Sequence, residues 1–258
     1  MASLLSCSDS SSSSIADQQA PLLSTVELIP IADAYIRNGS PNQNEGAEDI
    51  LRVRKSGKNR VLLQFDQAEL MTAVGNEPVA SAHLELTIVT NGGQWGSSGR
   101  SVGVHRMTAP WTEAGATWHC GDDTDSANST DDCPKTAWEM DDSSAWPFSF
   151  APTSTSLATN ESAGVFTLDV TADVQAFVDG STQNLGWLVR LINENEAGHF
   201  DFGSRESTAP PKLVITVGIP DEPEPPQCEV TALQGDTYLR KGSPNQNEGG
   251  LGLLRIQS

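Results

Sequence analysis

Carboxylates supply most of the chemistry available to this chain of 258 residues, which carries 34 Asp and Glu against 15 Lys and Arg for a formal net charge of −19. Their densest run lies between Cys120 and Cys133, where Asp122, Asp123, Asp125, Asp131 and Asp132 follow at short spacing, with Asp141 and Asp142 just beyond. Clustered carboxylates are hard oxygen donors and suit calcium rather than zinc. The run lacks the glycine and the terminal glutamate of an EF-hand loop, so the competing reading is a solvated acidic loop on an acidic protein. Asp33 and Glu45, on either side of the turn sequence Gly39-Ser40-Pro41-Asn42, form a second possible calcium set. There the simpler reading is a rigid turn held by side-chain to backbone bonds.

Aromatic side chains are the other chemical resource. Flat indole faces stack on sugar rings through apolar contact, and the chain has six tryptophans. Trp187 sits in the β-rich run GWLVRL, and Trp111 and Trp118 in APWTEAGATW; these read as core or half-buried. Trp95, Trp138 and Trp146 lie in Gly-, Ser- and Asp-rich loops and are the candidates for exposed ligand contacts. Enzyme signatures are thin. The chain has no G-x-S-x-G, no H-E-x-x-H and no phosphate-binding glycine loop, and its four histidines are scattered. Carboxylate pairs suited to glycoside cleavage are defined by separation, which a sequence does not display. No catalytic residue is assigned.

Charge and hydropathy narrow the classes further. A strongly acidic chain is a poor partner for nucleic acid, whose phosphates need a cationic face. No apolar run reaches the roughly 18 residues that span a bilayer. A disulfide between Cys120 and Cys133 makes physical sense because the polar loop between them has nothing apolar with which to order itself; closing it contributes roughly 3 kcal/mol. Such a bond implies an oxidising, extracellular or cell-surface compartment. Leu4-Leu5-Ser6-Cys7 has the look of a lipoprotein cleavage box followed by a serine tether, which makes Cys7 a lipidation candidate, although the charged and apolar segments such a box needs do not precede it. Cys228 has no assigned partner.

These residues must be positioned by strands. β-rich or alternating runs occur at Ala34–Arg37, Ile50–Arg54, Arg60–Phe65, Ala80–Thr90, Ser101–Met107, Val165–Val170, Gly186–Asn193 and Lys212–Val217, separated by turn formers. Short strands at this spacing imply an all-β fold, a sandwich or barrel. One segment differs: VTADVQAFV places Val170, Val174, Phe177 and Val178 on one helical face, with Thr171 able to cap it. The organisation expected is a disordered serine-rich leader over 1–25, a folded domain over 26–217, a Pro/acidic linker over 218–228 and a second unit over 229–258. That last unit repeats the first. Asp33–Lys55 and Asp236–Ser258 align without gaps, and GSPNQNEG is identical in both. The pattern is that of a tandem array whose second copy is incomplete here. A rarer arrangement would have the terminal strands complete a neighbour's sheet.

Several stretches taken in order, ADAYIRNGSPNQNEG, LRVRKSGKNRVLLQFD, APWTEAGATWHC, FTLDVTADVQAFVDG, GWLVRL and FDFGSRESTAPPKLVITV, resemble the DNRLRE-type domains grouped with carbohydrate-binding module family 96. The resemblance runs over about Ile31–Val217. It implies a jelly-roll-like antiparallel β-sandwich with one short helix, found in tandem in bacterial and archaeal surface proteins, in which some members bind acidic polysaccharide. The literal string DNRLRE is absent, the nearest match being Ser204-Arg205-Glu206. For an acidic chain to hold an anionic glycan, calcium must bridge the two or a local basic patch must exist. Arg52 and Arg54, which share one face of a strand, together with Arg205 are the expected patch; pairing with the many carboxylates is the competing role.

Three functional expectations follow. The first is a secreted or surface-attached, non-catalytic module that binds polysaccharide, with no required cofactor and with calcium as a candidate ion. The second is a structural or adhesive repeat with no glycan site. The third is an accessory module of a polysaccharide-degrading enzyme.

Overall fold

A computed structural model describes residues 23–128, 130, 132, 133, 138 and 146–218. The lipidation candidate Cys7, Asp131, and the linker and second copy from residue 219 onward lie outside the described residues. Eleven strands and two helices follow in the order β1 (Ser24–Leu28), β2 (Ala32–Arg37), β3 (Ile50–Arg54), β4 (Asn59–Gln64), α1 (Gln67–Val74), β5 (Val79–Gly93), β6 (Arg100–Arg106), β7 (Ser154–Ala158), β8 (Val165–Asp169), α2 (Thr171–Val178), β9 (Trp187–Leu191), β10 (His199–Gly203) and β11 (Lys212–Val217).

Every strand pairing is antiparallel. The path β1-β11-β5-β10-β3-β4-β9-β6-β7, with β2 beside β4 and β8 beside β5, curls into a half-barrel. Strand β5 makes the bend possible because it is 15 residues long. Its first part pairs with β11 and β8, and its last part with β10. The register shifts between His199 and Phe200 and between Asp201 and Phe202 are bulges that turn the sheet at this junction. Curling brings Leu84, Leu213 and Ile215 from one end of the path into the same buried cluster as Val61, Val189 and Val102 from the other.

Strand burial follows from this arrangement. β8 alternates buried and exposed residues and β11 buried and half-buried ones, as strands with one inward face must. β4 and β9 are buried throughout their paired length and read as nearly continuous apolar runs. Their inward residues Val61, Leu63, Trp187 and Val189 enter the main core. Leu62 and Leu188 face the other way, into a second cluster with Ala34, Ile36, Met107, Trp111, Trp118, Trp138 and Phe148. The stretch after β6 therefore folds over the outer face of β2, β4 and β9. The expected disulfide between Cys120 and Cys133 fastens that cover.

Two helices replace the single one expected. The additional helix, α1, starts at Asp66, whose side chain accepts the Glu69 amide at 2.9 Å, and stops at Gly75 with φ +61°. In α2, Thr171 is not the cap. Val170 holds that position without a side-chain bond, and the Thr171 hydroxyl accepts the Ala82 amide at 2.9 Å instead. Leu70, Val74, Val174 and Phe177 turn into the main core. Strands β1, β7 and β10 were not anticipated either. β1 adjoins the polar leader, β7 is mostly Ser and Thr, and β10 is a five-residue segment interrupted by bulges.

Candidate functional site

β6 and β9 pair with Gly103 opposite Arg190 and His105 opposite Leu188. Alternation sends Val102, Val104 and Val189 into the main core, leaving Gly103, His105 and Arg190 on the outer face. The segment 147–153 is laid across this face by backbone bonds. Ser149 N donates to Arg106 O at 2.8 Å, Thr153 N to Val104 O at 2.7 Å, and Met107 bridges Phe148. Gly103 leaves space there for Ile192, whose Cδ1 would stand 2.4 Å from an added Cβ. Between this segment and the loop after β9 lies an open cleft of about 600 Å³.

The aromatic wall of the cleft is Trp146 and Phe150, with ring centroids 5.5 Å apart and Phe148 5.0 Å behind Trp146. Phe150 is 63% exposed, an uncommon state for so large an apolar ring unless it has something to meet. Arg190 lies with its guanidinium carbon 5.5 Å from the Trp146 centroid. Such a cation–π contact holds the charge at the cleft.

Buried charge fixes the floor. Arg60, 1% exposed, donates to both carboxylate oxygens of Glu194 at 2.7 Å and to Trp138 O at 2.6 Å, over the Trp118 ring at 4.6 Å. Arg190 Nη1 stands 3.5 Å from the same carboxylate. His105 joins the network at its other side, with Nδ1 2.9 Å from Ser149 O and Nε2 receiving Arg190 Nε at 3.4 Å. Arginine only donates, so Nε2 is the acceptor and Nδ1 carries the proton. Burial, opposed by the Ser149 bond and reinforced by Arg190 and Arg60, pushes His105 down to about 4, so the ring is neutral. Arg60 and Arg190 thus face one carboxylate, Glu194, and Lys58 lines the same cleft, on a chain that is acidic overall. Glycoside cleavage by acid and base needs two carboxyl groups. Among the described residues, Glu194 is the one acidic residue lining this cleft, and it is committed to two arginines.

The sequence-derived candidates are dispersed. Trp146 lines the cleft. Trp95 and Trp138 are not exposed contacts; both are buried. The Trp95 indole donates to Asn91 Oδ1 at 2.8 Å and packs 4.2 Å from Phe200. The Trp138 indole donates to Thr117 O at 2.7 Å. The expected basic patch does not form an unpaired cationic surface. Arg52 binds Asp201 at 2.7 Å and lies over Tyr35, and Arg205 binds Glu113 at 2.6 Å and Glu206 at 3.2 Å. Arg54 is exposed at the end of β3.

Asp33 and Glu45 do not converge as a pair. Asp33 is buried, accepts the Arg205 amide at 2.7 Å, and is raised to about 7 chiefly by burial. Glu45 is also buried and raised, again chiefly by desolvation; its Oε1 stands 2.6 Å from Arg37 Nε in a charge contact that lacks hydrogen-bond alignment. Asp33 instead meets Glu113 and Glu206, ligand atoms within 4.8 Å of one another. Arg205 already bridges the two glutamates. In the disulfide loop Asp122 accepts from Thr112 at 2.6 Å, Asp123 from the Asp125 amide at 3.1 Å, Asp125 from the Ala127 amide at 3.2 Å and Asp132 from Asn128 at 3.3 Å. They order turns. Phe150, His105, Arg190 and Glu194 were missed by sequence reading. The signals were present in the aromatic alternation of Trp146-Pro147-Phe148-Ser149-Phe150 and in a lone arginine within the apolar β9.

Fold and cleft together define a class: a mostly antiparallel β module with a shallow, aromatic, arginine-bearing surface site. Residues 24–146 match the family model of carbohydrate-binding module family 96, the family whose resemblance the sequence carries. The match spans β1 to β6 and ends at the first aromatic of the cleft, so most of the lining residues lie beyond it. No curated protein matches the chain.

Proposed function

We propose that the unit from β1 to β11 is a non-catalytic, jelly-roll-like carbohydrate-binding module of a secreted or surface-attached protein, and that its glycan site is the cleft of Trp146, Phe150 and Arg190. The repeated Asp33–Lys55 and Asp236–Ser258 stretches support a tandem array as its setting. The observation that carries the reading is the pairing of exposed Phe150 with Trp146 beside a fixed guanidinium. A sugar ring offers apolar C–H faces and a rim of hydroxyls, and such a platform meets both. The competing structural-repeat reading predicts no ligand here. Calcium is not built into the proposal, because Arg205 compensates the Asp33–Glu113–Glu206 trio.

Isothermal titration of the full chain with soluble polysaccharides, with and without calcium, tests the assignment. Trp146→Ala and Phe150→Ala are each expected to weaken binding on the order of tenfold, the loss of one stacking contact. Phe150→Ala should leave the melting temperature unchanged, since its ring is mostly in water. Binding that survives both substitutions would place the site elsewhere. Turnover of a polysaccharide by the chain would replace a binding module with an enzyme.

A further inference from the structure

Three asparagines open the triplet Asn-X-Ser/Thr with X other than proline: Asn38-Gly39-Ser40, Asn128-Ser129-Thr130 and Asn160-Glu161-Ser162. This triplet is the acceptor of N-linked glycan in chains that are exported. The Cys120–Cys133 bond belongs to the same kind of oxidising compartment. The triplet alone does not select among the three. The surroundings of each carboxamide do, because the acceptor nitrogen must be open to a bulky, hydrated sugar and must be presented together with the hydroxyl two residues on.

At Asn160 the carboxamide is part of the fold. Its Oδ1 accepts the Trp95 amide at 3.1 Å and its Nδ2 donates to Gly96 O at 3.3 Å, which ties the loop after β7 to the turn that buries Trp95. The Ser162 hydroxyl is turned to Thr159, 3.0 Å from its amide and 3.2 Å from its hydroxyl. A sugar on Asn160 would displace the Gly96 contact. At Asn38 the chain is folded tightly on a neighbouring turn. The Asn38 and Gly39 amides both donate to Gly57 O, at 2.7 and 3.3 Å, and the Ser40 amide donates to Arg37 O at 3.4 Å. Pro41 follows and biases Ser40 away from helical backbone.

Asn128 differs from both. It is exposed, and so is Thr130. Its Oδ1 accepts the Thr130 amide at 2.6 Å and also the Thr130 hydroxyl, so carboxamide and hydroxyl stand together in one turn. A carboxamide nitrogen has two hydrogens. One faces the exposed Asp132 Oδ2 at 3.3 Å, and the other is left for substitution. These partners lie within four residues of Asn128, so a sugar on Nδ2 disturbs no contact between distant parts of the chain. Among the described residues, none between Cys120 and Cys133 lines the cleft of Trp146 and Phe150.

We infer that Asn128 is a site of N-linked glycosylation, with a lipid diphosphate-linked oligosaccharide as donor and an oligosaccharyl transferase of the exporting membrane as catalyst. The bond from Nδ2 to C1 of the first sugar forms as the C1–O bond to the diphosphate breaks. The amide gives up one proton, the lipid diphosphate leaves with the electron pair of the broken bond, and nothing is oxidised or reduced. The glycan then covers the polar loop that the disulfide closes. This site lies outside the cleft and does not depend on what the cleft binds.

The test is secretion of the full chain from yeast, alongside a known glycoprotein as control. Peptides are mapped by mass spectrometry before and after treatment with peptide-N-glycosidase, which converts an occupied asparagine to aspartate. Asn128 is expected to be occupied in most secreted chains and Asn160 to be bare. Asn128→Gln and Thr130→Ala should each abolish the glycan on the loop peptide, whereas Thr130→Ser should keep it. All three variants should retain the wild-type circular dichroism and the Cys120–Cys133 bond, because the contacts they alter are local. A bare Asn128 in secreted, disulfide-bonded wild type, with the control glycosylated, would overturn the inference. Glycan that persists on Asn128 in Thr130→Ala would overturn the part given to the hydroxyl, and glycan on Asn160 would overturn selection by carboxamide bonding.

Discussion

His105 gives the sharpest quantitative check on the cleft. Its ring is buried, neutral and bonded on both sides, and Arg190, Arg60 and Glu194 are the charged groups facing it. Its ionisation falls from an ordinary 6.5 to about 4 on folding. Between those pH values the unfolded chain takes up a proton that the folded chain refuses. Stability from this residue is therefore complete above pH 6.5, declines as pH drops, and stops declining near pH 4. At about 1.4 kcal/mol per pH unit the loss is about 3 kcal/mol. His105→Gln preserves the two contacts, with its amide donating to Ser149 O and its carbonyl accepting from Arg190, but cannot titrate. The assay is urea unfolding of both proteins at several pH values from 7 to 4. Carboxylate titration, Asp33 included, is common to the two and cancels in their difference. Wild type should lose about 3 kcal/mol more than the variant over that range. Parallel stability profiles would refute the argument, and with it the neutral tautomer that holds Arg190.

Other perturbations test the supports of the cleft. Arg60→Met removes the bidentate partner of Glu194, leaving it Arg190 alone at 3.5 Å, and should cost about 3 kcal/mol in chemical denaturation, with a red shift of tryptophan fluorescence as Trp118 and Trp138 gain water. Paired Cys120→Ser and Cys133→Ser substitutions release a loop closed over 13 residues and should lower unfolding free energy by about 3 kcal/mol, read by the same assay. Gly186→Ala should abolish soluble folded protein, as judged by circular dichroism. Its backbone has φ +81°, and the added Cβ would stand 2.1 Å from the Leu63 carbonyl oxygen.

The Trp95 segment illustrates how loop composition misleads. NGGQWGSSG reads as an exposed loop because glycine and serine dominate it. Gly93, Gly96 and Gly99 all take positive φ, which turns the chain back on itself. The indole is thereby driven against Phe200 and against Gly198, where a Cβ would meet it at 2.5 Å. Polar neighbours reported the turns correctly and the burial wrongly. Arg52 and Arg205 show the same limit for charge. Strand alternation put Arg52 and Arg54 on one face and suggested, with Arg205, a basic patch, but Asp201 and Glu113 reach Arg52 and Arg205 across strand pairings and loops that the linear order does not display.

The sequence by itself determined the predominance of β structure, most of the strands, the helix after β8, the Cys120–Cys133 bond, the internal repeat and the resemblance that the family model matches over residues 24–146. These depend on local signals: a two-residue alternation, turn formers, a polar loop between two cysteines, and ordered short motifs. Only the tertiary structure decided where the sheet curls, which face of β4 and β9 receives a second apolar layer, and which tryptophan meets solvent. The cleft gathers His105, Trp146, Phe150, Arg190 and Glu194 from three separate stretches of chain. Their convergence is set by the Gly103–Arg190 register and by the backbone bonds that lay residues 147–153 over it. Pairing partners so far apart in the chain leave no mark on local residue patterns, so the site existed for the reader only once the sheet had closed.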